Sequence, residues 1–221
     1  TLAFTTSTFG NVEIAGVSYT GSRLITSGLF TLTPTAGGSP ITFLSGATLS
    51  IRGRNYTTSF NSSTNTLTLK RNAISAFLVT VGTVYTIGGQ KWTVTSYNSS
   101  TGGLSLKAGA CDAGNDHCTA LNETVSGIGF TVTINGIAYT ATKYGTSTTR
   151  FYLSAPAATI TTSNPILVFA DRQIGGTAYH ISYSIADNLF TLTPTTGGLS
   201  ITVAPDGTIA IGSATYSVSY N

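Results

Sequence analysis

Residues 29–38 read LFTLTPTAGG, and residues 189–198 read LFTLTPTTGG. Within each stretch apolar and hydroxyl residues alternate, as in a strand with one buried face. The proline and the two glycines that follow end that strand and begin a turn. The match extends well beyond ten residues. At an offset of 160, residues 11–61 lie over 171–221 without a gap, and about 20 of those positions are identical.

A shorter unit runs beneath this long repeat. It reads IAGVSYT (14–20), IRGRNYT (51–57), IGGQKWT (87–93), INGIAYT (134–140), IGGTAYH (174–180) and IGSATYS (211–217). Each has an apolar strand end, a glycine turn, an aromatic and then alternation, which is the pattern of a β-hairpin. Tyr19, Tyr56, Trp92, Tyr139, Tyr179 and Tyr216 share one position in it. A position that recurs in every unit is read as core rather than as a sugar-stacking platform. In the third unit Trp92, Val94 and Ser96 are placed on one face. Stretch 73–88 reads as two strands. The expected fold is all-β and antiparallel: repeated hairpin units in sandwich-like, immunoglobulin-like layers.

Composition fits that fold and narrows the setting. Charged residues are 8% of the chain, the net charge is +3, mean hydropathy is +0.23 and methionine is absent. Ser and Thr make up about 30%. Few Lys and Glu with much Thr, Val, Ile and Tyr is poor helix material and good strand material. With so little surface charge to keep copies apart, the chain is solubilised by sugars, works where carboxylates are protonated, or is built to assemble. No basic run marks a nucleic-acid partner, and no apolar stretch is long enough for a membrane helix. The chain starts at Thr1 and is read as a processed, secreted product.

Cys111 and Cys118 lie in ACDAGNDHCTA, a spacing and context that suit a local disulfide in an oxidising compartment. Asp112, Asn115, Asp116 and His117 in that loop are alternative calcium ligands, although the spacing fits no standard loop. Sequons place candidate glycans on Asn55, Asn61, Asn98 and Asn122, with Asn61 and Asn98 at expected hairpin turns. The acids Glu13, Asp112, Asp116, Glu123, Asp171, Asp187 and Asp206 are scattered, and His180 stands where the first copy has Thr20. No nucleophile elbow, metalloprotease helix or phosphate loop appears, so neither catalysis nor a cofactor is expected.

The two copies differ in how they continue. Residues 56–61, YTTSFN, lead on to TLTLK at 66–70, whereas YSVSYN at 216–221 stands last. An antiparallel sheet stopping there would leave a row of unpaired backbone groups, which recruits other strands. The opening TLAFT at 1–5 has Leu2 and Phe4 where TLTLK has Leu67 and Leu69. The reading is therefore a donor strand at 1–9, a first sandwich region at 10–110, a disulfide loop or joint at 111–118, and a second region at 119–221 that is one strand short. Leu2 and Phe4 are the donor side chains, and Tyr216, Val218 and Tyr220 form the acceptor edge. In cis the ends close one molecule. In trans a copy of the chain joins the next head to tail.

This organisation resembles donor-strand-complemented filament subunits, such as bacterial chaperone–usher pilins and the glycosylated thread filaments of thermoacidophilic archaea. The resemblance implies a secreted, cell-surface structural subunit that polymerises with itself. A fainter likeness, through IGG…Y…LTPTTGG…ITV, is to Thr/Gly-rich repeats of fungal wall proteins. Two other readings are an adhesin or carbohydrate-binding module, expected to expose aromatics such as Tyr144, Phe151 and Tyr152, and a viral capsid or fibre protein with closed symmetry.

Overall fold

The computed structural model describes residues 6–112, 118–163 and 166–218. Among them every regular element is a strand, and every strand pair is antiparallel. No helix among the described residues is long and apolar enough to cross a membrane.

Strands β1 (Thr6–Ile14), β2 (Val17–Leu24), β3 (Leu29–Pro34) and β4 (Ile41–Phe43) form a meander. Strands β5 (Thr48–Ile51), β6 (Arg54–Asn61) and β7 (Thr66–Arg71) build a sheet that faces it. Their alternation buries Phe9, Ile14, Tyr19, Phe30, Leu32, Tyr56, Leu67 and Leu69 in one core, while threonines and serines line the outer faces. This is the first sandwich.

The chain then leaves it. After β8 (Ile74–Thr80) come β9 (Val84–Ile87), β10 (Gln90–Tyr97), β11 (Leu104–Cys111) and β12 (Thr124–Gly127), which make a sheet in the order β12-β11-β10-β9. Strands β13 (Thr131–Ile134), β14 (Ile137–Lys143) and β15 (Arg150–Ala155) join β8 in the facing sheet, in the order β13-β14-β15-β8. Trp92, Val94, Leu106, Tyr139, Phe151 and Leu153 form the core of this second sandwich. The chain returns through β16 (Ala158–Ser163), which pairs with β7 and completes the first sandwich as β16-β7-β6-β5. The second sandwich is thus inserted into an edge of the first. At the neck Arg71 donates to the carbonyls of Asn72 on the way out (3.1 Å) and Pro156 on the way back (2.8 Å).

The third sandwich follows directly. Strands β17 (Ile166–Ile174), β18 (Thr177–Ser184), β19 (Leu189–Pro194) and β20 (Ile201–Val203) form its four-stranded sheet. Strands β21 (Thr208–Ile211) and β22 (Ala214–Ser217) form a two-stranded sheet that shares its core. The long repeat is exact at the level of elements: β1 to β5 and β17 to β21 have the same bounds 160 residues apart. Even the bulge recurs, between Phe9 and Val12 and between Phe169 and Arg172.

Three expectations are corrected. The donor strand expected at 1–9 does not extend to residue 9, because Thr6–Phe9 pair with β2 as the start of β1 and Phe9 packs in the first core. The cores do not divide at 111–118. Cys111 ends β11, which pairs with β12 beyond the cysteine loop, so the loop sits inside one sheet of the second sandwich. Nor do Trp92, Val94 and Ser96 share a face. The register slips between Val94 and Ser96, so the extra residue turns Ser96 outward and makes Tyr97 the next buried side chain. Stretch 73–88 does make two strands, β8 and β9, and Pro34 and Pro194 do end theirs.

The hairpin tips decide how the first two sandwiches meet. The turns at Ala15-Gly16, Arg52-Gly53, Gly88-Gly89 and Asn135-Gly136 all have positive φ at both central residues, the turn that matches strand twist. They abut in pairs. A Cβ on Gly136 would lie 2.0 Å from the Gly16 nitrogen, and one on Gly53 would lie 2.5 Å from the Gly89 nitrogen. Arg52 Nη1 donates to the Ala15 carbonyl (2.9 Å) and Asn135 Nδ2 to the Gly88 carbonyl (3.4 Å). Ala15 itself packs into the second core.

Candidate assembly edge

The acceptor edge expected from the sequence falls in the third sandwich. In the first sandwich β6 has β5 on one side and β7 on the other. Its counterpart β22 has β21 alone as a strand partner among the described residues. The hydrogen bond from Val218 N to the Gly207 carbonyl (2.9 Å) closes the β21 side, and the other long edge of β22 faces away from it.

Burial follows the pairing. Leu67 and Leu69 of β7, both at 0% exposure, plug the first core opposite Phe60 and Thr58. The positions in the third sandwich that match the best-shielded residues of the first are less covered: Ile174 at 8% against 0% for Ile14, Ile211 at 8% against 2% for Ile51, and Tyr179 at 6% against 1% for Tyr19. Tyr56 is buried at 1%, whereas Tyr216 is only half-buried. Far from the edge the two cores agree, with Leu32 at 0% and Leu192 at 1%. The loss of cover falls at the end of the third sandwich that matches the hairpin tips met by the second sandwich in the first.

Of the sequence-derived edge residues, Tyr216 lies on β22 and Val218 just past it, with Val218 buried and Tyr216 partly so. Leu2, Phe4 and Tyr220 lie outside the described residues. Sequence reasoning placed Tyr179 in this core but missed Ile174, Ile209 and Ile211 as its walls. The signal was present, because each lies 160 residues after a buried residue of the first sandwich.

The remaining candidates fall as follows. Five of the six repeat aromatics are buried and only Tyr216 is not, which supports the core reading. Cys111 and Cys118 are joined by a disulfide, with Cα atoms 6.4 Å apart. Buried Gln90 stitches the loop down. Its Nε2 donates to the carbonyls of Gly109 (3.1 Å) and Thr119 (2.8 Å), and its Oε1 accepts from Thr119 N (3.2 Å). Asn115, Asp116 and His117 lie outside the described residues, and among the described ones no group of three potential ligands comes together. Asn55, Asn61, Asn98 and Asn122 are all exposed. Asn61 and Asn98 sit at hairpin turns, where their Oδ1 atoms accept from Ser63 N (3.0 Å) and Ser100 N (2.9 Å). His180 Nδ1 contacts Asp171 Oδ1 at 2.5 Å, both exposed. Of the aromatics expected to be exposed, Phe151 is core, and Tyr144 and Tyr152 are half-buried with rings 5.6 Å apart.

No known protein family, curated protein or solved structure matches the chain.

Proposed function

We propose that the protein is a structural subunit of an extracellular, cell-surface filament. Copies join head to tail, the N-terminal strand of one entering the third sandwich of the next beside β22. The observation that carries this reading is that β22, among the described residues, has a strand partner on one side only, in a sandwich whose repeat partner has β7 in that place. Added strands of this kind gain main-chain hydrogen bonds along the edge and pockets for alternate side chains. Leu2 and Phe4 would fill the space that Leu67 and Leu69 fill in the first sandwich. A contact between two different surfaces gives a filament where its rotation does not close into a ring. The disulfide and the low charge suit an exterior setting. In this reading Asn55, Asn61, Asn98 and Asn122 carry glycans, and the subunit performs no chemistry.

Negative-stain microscopy of the full chain beside a variant lacking residues 1–5 tests this. That cut stops before β1 begins at Thr6. Filaments from the full chain and dispersed monomers from the variant are expected. Monomers, or closed rings and shells, from the full chain would overturn the reading.

A further inference from the structure

Hairpin tips meet tips of their own kind in this molecule. The β1–β2 turn of the first sandwich abuts the β13–β14 turn of the second, Gly16 against Gly136. The β5–β6 turn abuts the β9–β10 turn, Gly53 against Gly89. The two sandwiches are laid out alike, each with one tip on an edge hairpin of one four-stranded sheet and one on an edge hairpin of the facing sheet. Each turn therefore lies against its own counterpart, as surfaces do across a two-fold axis. Arg54 Nη2 crosses this junction and donates to the Tyr139 hydroxyl at 2.6 Å.

The third sandwich has the same pair of tips, Gly175-Gly176 between β17 and β18 and Gly212-Ser213 between β21 and β22. Gly175 and Gly176 have φ of 59° and 84°, like Ala15 and Gly16 at 50° and 77°. The two tips stand side by side, since a Cβ on Gly175 would lie 3.3 Å from Ile211 Cγ2 and 3.6 Å from the Tyr216 hydroxyl. Outward they meet nothing: all four tip residues are exposed, and a Cβ on Gly176 or Gly212 would find no atom within 4 Å. Ile174 and Ile211 directly behind them are less covered than Ile14 and Ile51, which lie behind the occupied tips. The chain enters this sandwich at Ile166, the opposite end of β17 from its tip. The first two sandwiches occupy each other's tips, so among the described residues the tip end left without a counterpart is that of the third.

We infer that this end is a docking surface for the same end of a second copy. The junction between the first two sandwiches supplies the pattern: across a two-fold axis the β17–β18 turns of the two copies meet, and so do the β21–β22 turns. Charge permits it. Arg52 and Arg54 are replaced in the third sandwich by Gly212 and Ala214, so two identical ends meet without the like-charge repulsion that opposes a self-contact. Ser213 stands where the first sandwich has Gly53, whose Cβ would come within 2.5 Å of the Gly89 nitrogen, so the β21–β22 turns sit wider apart than their template. A contact between turns alone falls short of the roughly 1,200 Å² that a stable interface buries, so the pair forms at high chain concentration and parts on dilution. The inference is independent of the filament reading, because it uses the tips of the third sandwich and not the long edge of β22.

Cross-linking the full chain tests it. Ser213→Cys places one free thiol beside its own counterpart in the pair and leaves the Cys111–Cys118 disulfide in place. A short bis-maleimide at millimolar chain concentration should give a covalent dimer on a denaturing gel. Ser62→Cys, in the exposed β6–β7 turn, should give only the background of random collisions. The denaturing gel dissolves any filament, so the band reports the tip contact alone. Gly176→Asn in the Ser213→Cys chain adds a side chain where the β17–β18 turns meet, and asparagine tolerates the left-handed backbone. It should remove most of the dimer band, whereas Gly145→Asn, in a turn with φ 55° and open space, should leave it unchanged. A Ser213→Cys band no stronger than that of Ser62→Cys would overturn the inference, as would a band that survives Gly176→Asn.

Discussion

Single atoms decide the contact between the first two sandwiches. Gly136 has φ 70° and no room for a Cβ, since the Gly16 backbone nitrogen would lie 2.0 Å away. Gly28 has φ 68° but open space around it. Gly28→Ala should therefore cost about 1–2 kcal/mol from the left-handed backbone alone. Gly136→Ala should cost clearly more, because the two turns must part as well. Paired denaturant titrations would reveal equal losses if the tips do not meet. The tyrosines at this junction give a pH signature. Tyr56 and Tyr139 have folded-state values raised by burial above the ordinary 10.0. Their contribution is fully present below the unfolded phenol value and is lost as pH rises from there through the folded value. Stability should accordingly fall in the strongly alkaline range. Tyr56→Phe should flatten part of that fall, read from denaturation midpoints across pH. The repeat gave away the buried aromatics, because one position recurs six times. The guanidinium partners were hidden, because Arg52, Arg54 and Arg71 have no counterparts in a repeating pattern.

Strands and their loops follow local rules, and those were legible. Period-two alternation, glycine turns and terminal prolines place β1 to β5 and β17 to β21 in the same relative positions. The Val94–Ser96 bulge was not legible, because an extra residue leaves no mark in a Thr/Ser-rich stretch where either face tolerates a hydroxyl. The destination of each strand was hidden too. Nothing in the run of β7, β8 and β16 says that the chain will cross to another sandwich and return, because pairing partners far apart in sequence are chosen by core fit. The cysteine loop then reads as a braced excursion between neighbouring strands. Reducing the disulfide, or Cys111→Ser with Cys118→Ser, should cost about 2–3 kcal/mol by chain-entropy arguments, seen as a lower denaturation midpoint with an unchanged sheet signal. Gln90→Leu should cost about 1–3 kcal/mol, since it strands the Thr119 backbone groups and the Gly109 carbonyl. A neutral result would mean that water takes over those contacts.

At the scale of the whole molecule, the third sandwich is the element in which cover and repeat disagree. If β22 accepts a strand, Val218→Arg, which puts a charge into the third core, should block assembly while leaving the first two cores intact, with scattering showing monomers. Filaments of normal length from Val218→Arg would place the joint elsewhere. The inserted second sandwich has a separate, mechanical consequence. The third sandwich is attached through β16, and β16 is held to the first by its ladder with β7 and by the Arg71 clasp. If copies join head to tail as proposed, tension along the row would cross that ladder and leave the inserted sandwich slack. Only when β16 peels from β7 does the load reach it. The stretch between Arg71 and Ala158 then pays out on the order of 300 Å at about 3.4 Å per residue. Single-molecule pulling should record that length as a late extension after neck rupture, shortened when residues 74–155 are bridged by an engineered cross-link. If copies assemble as proposed, such a fibre would yield before it breaks, with a hidden reserve of chain in every copy.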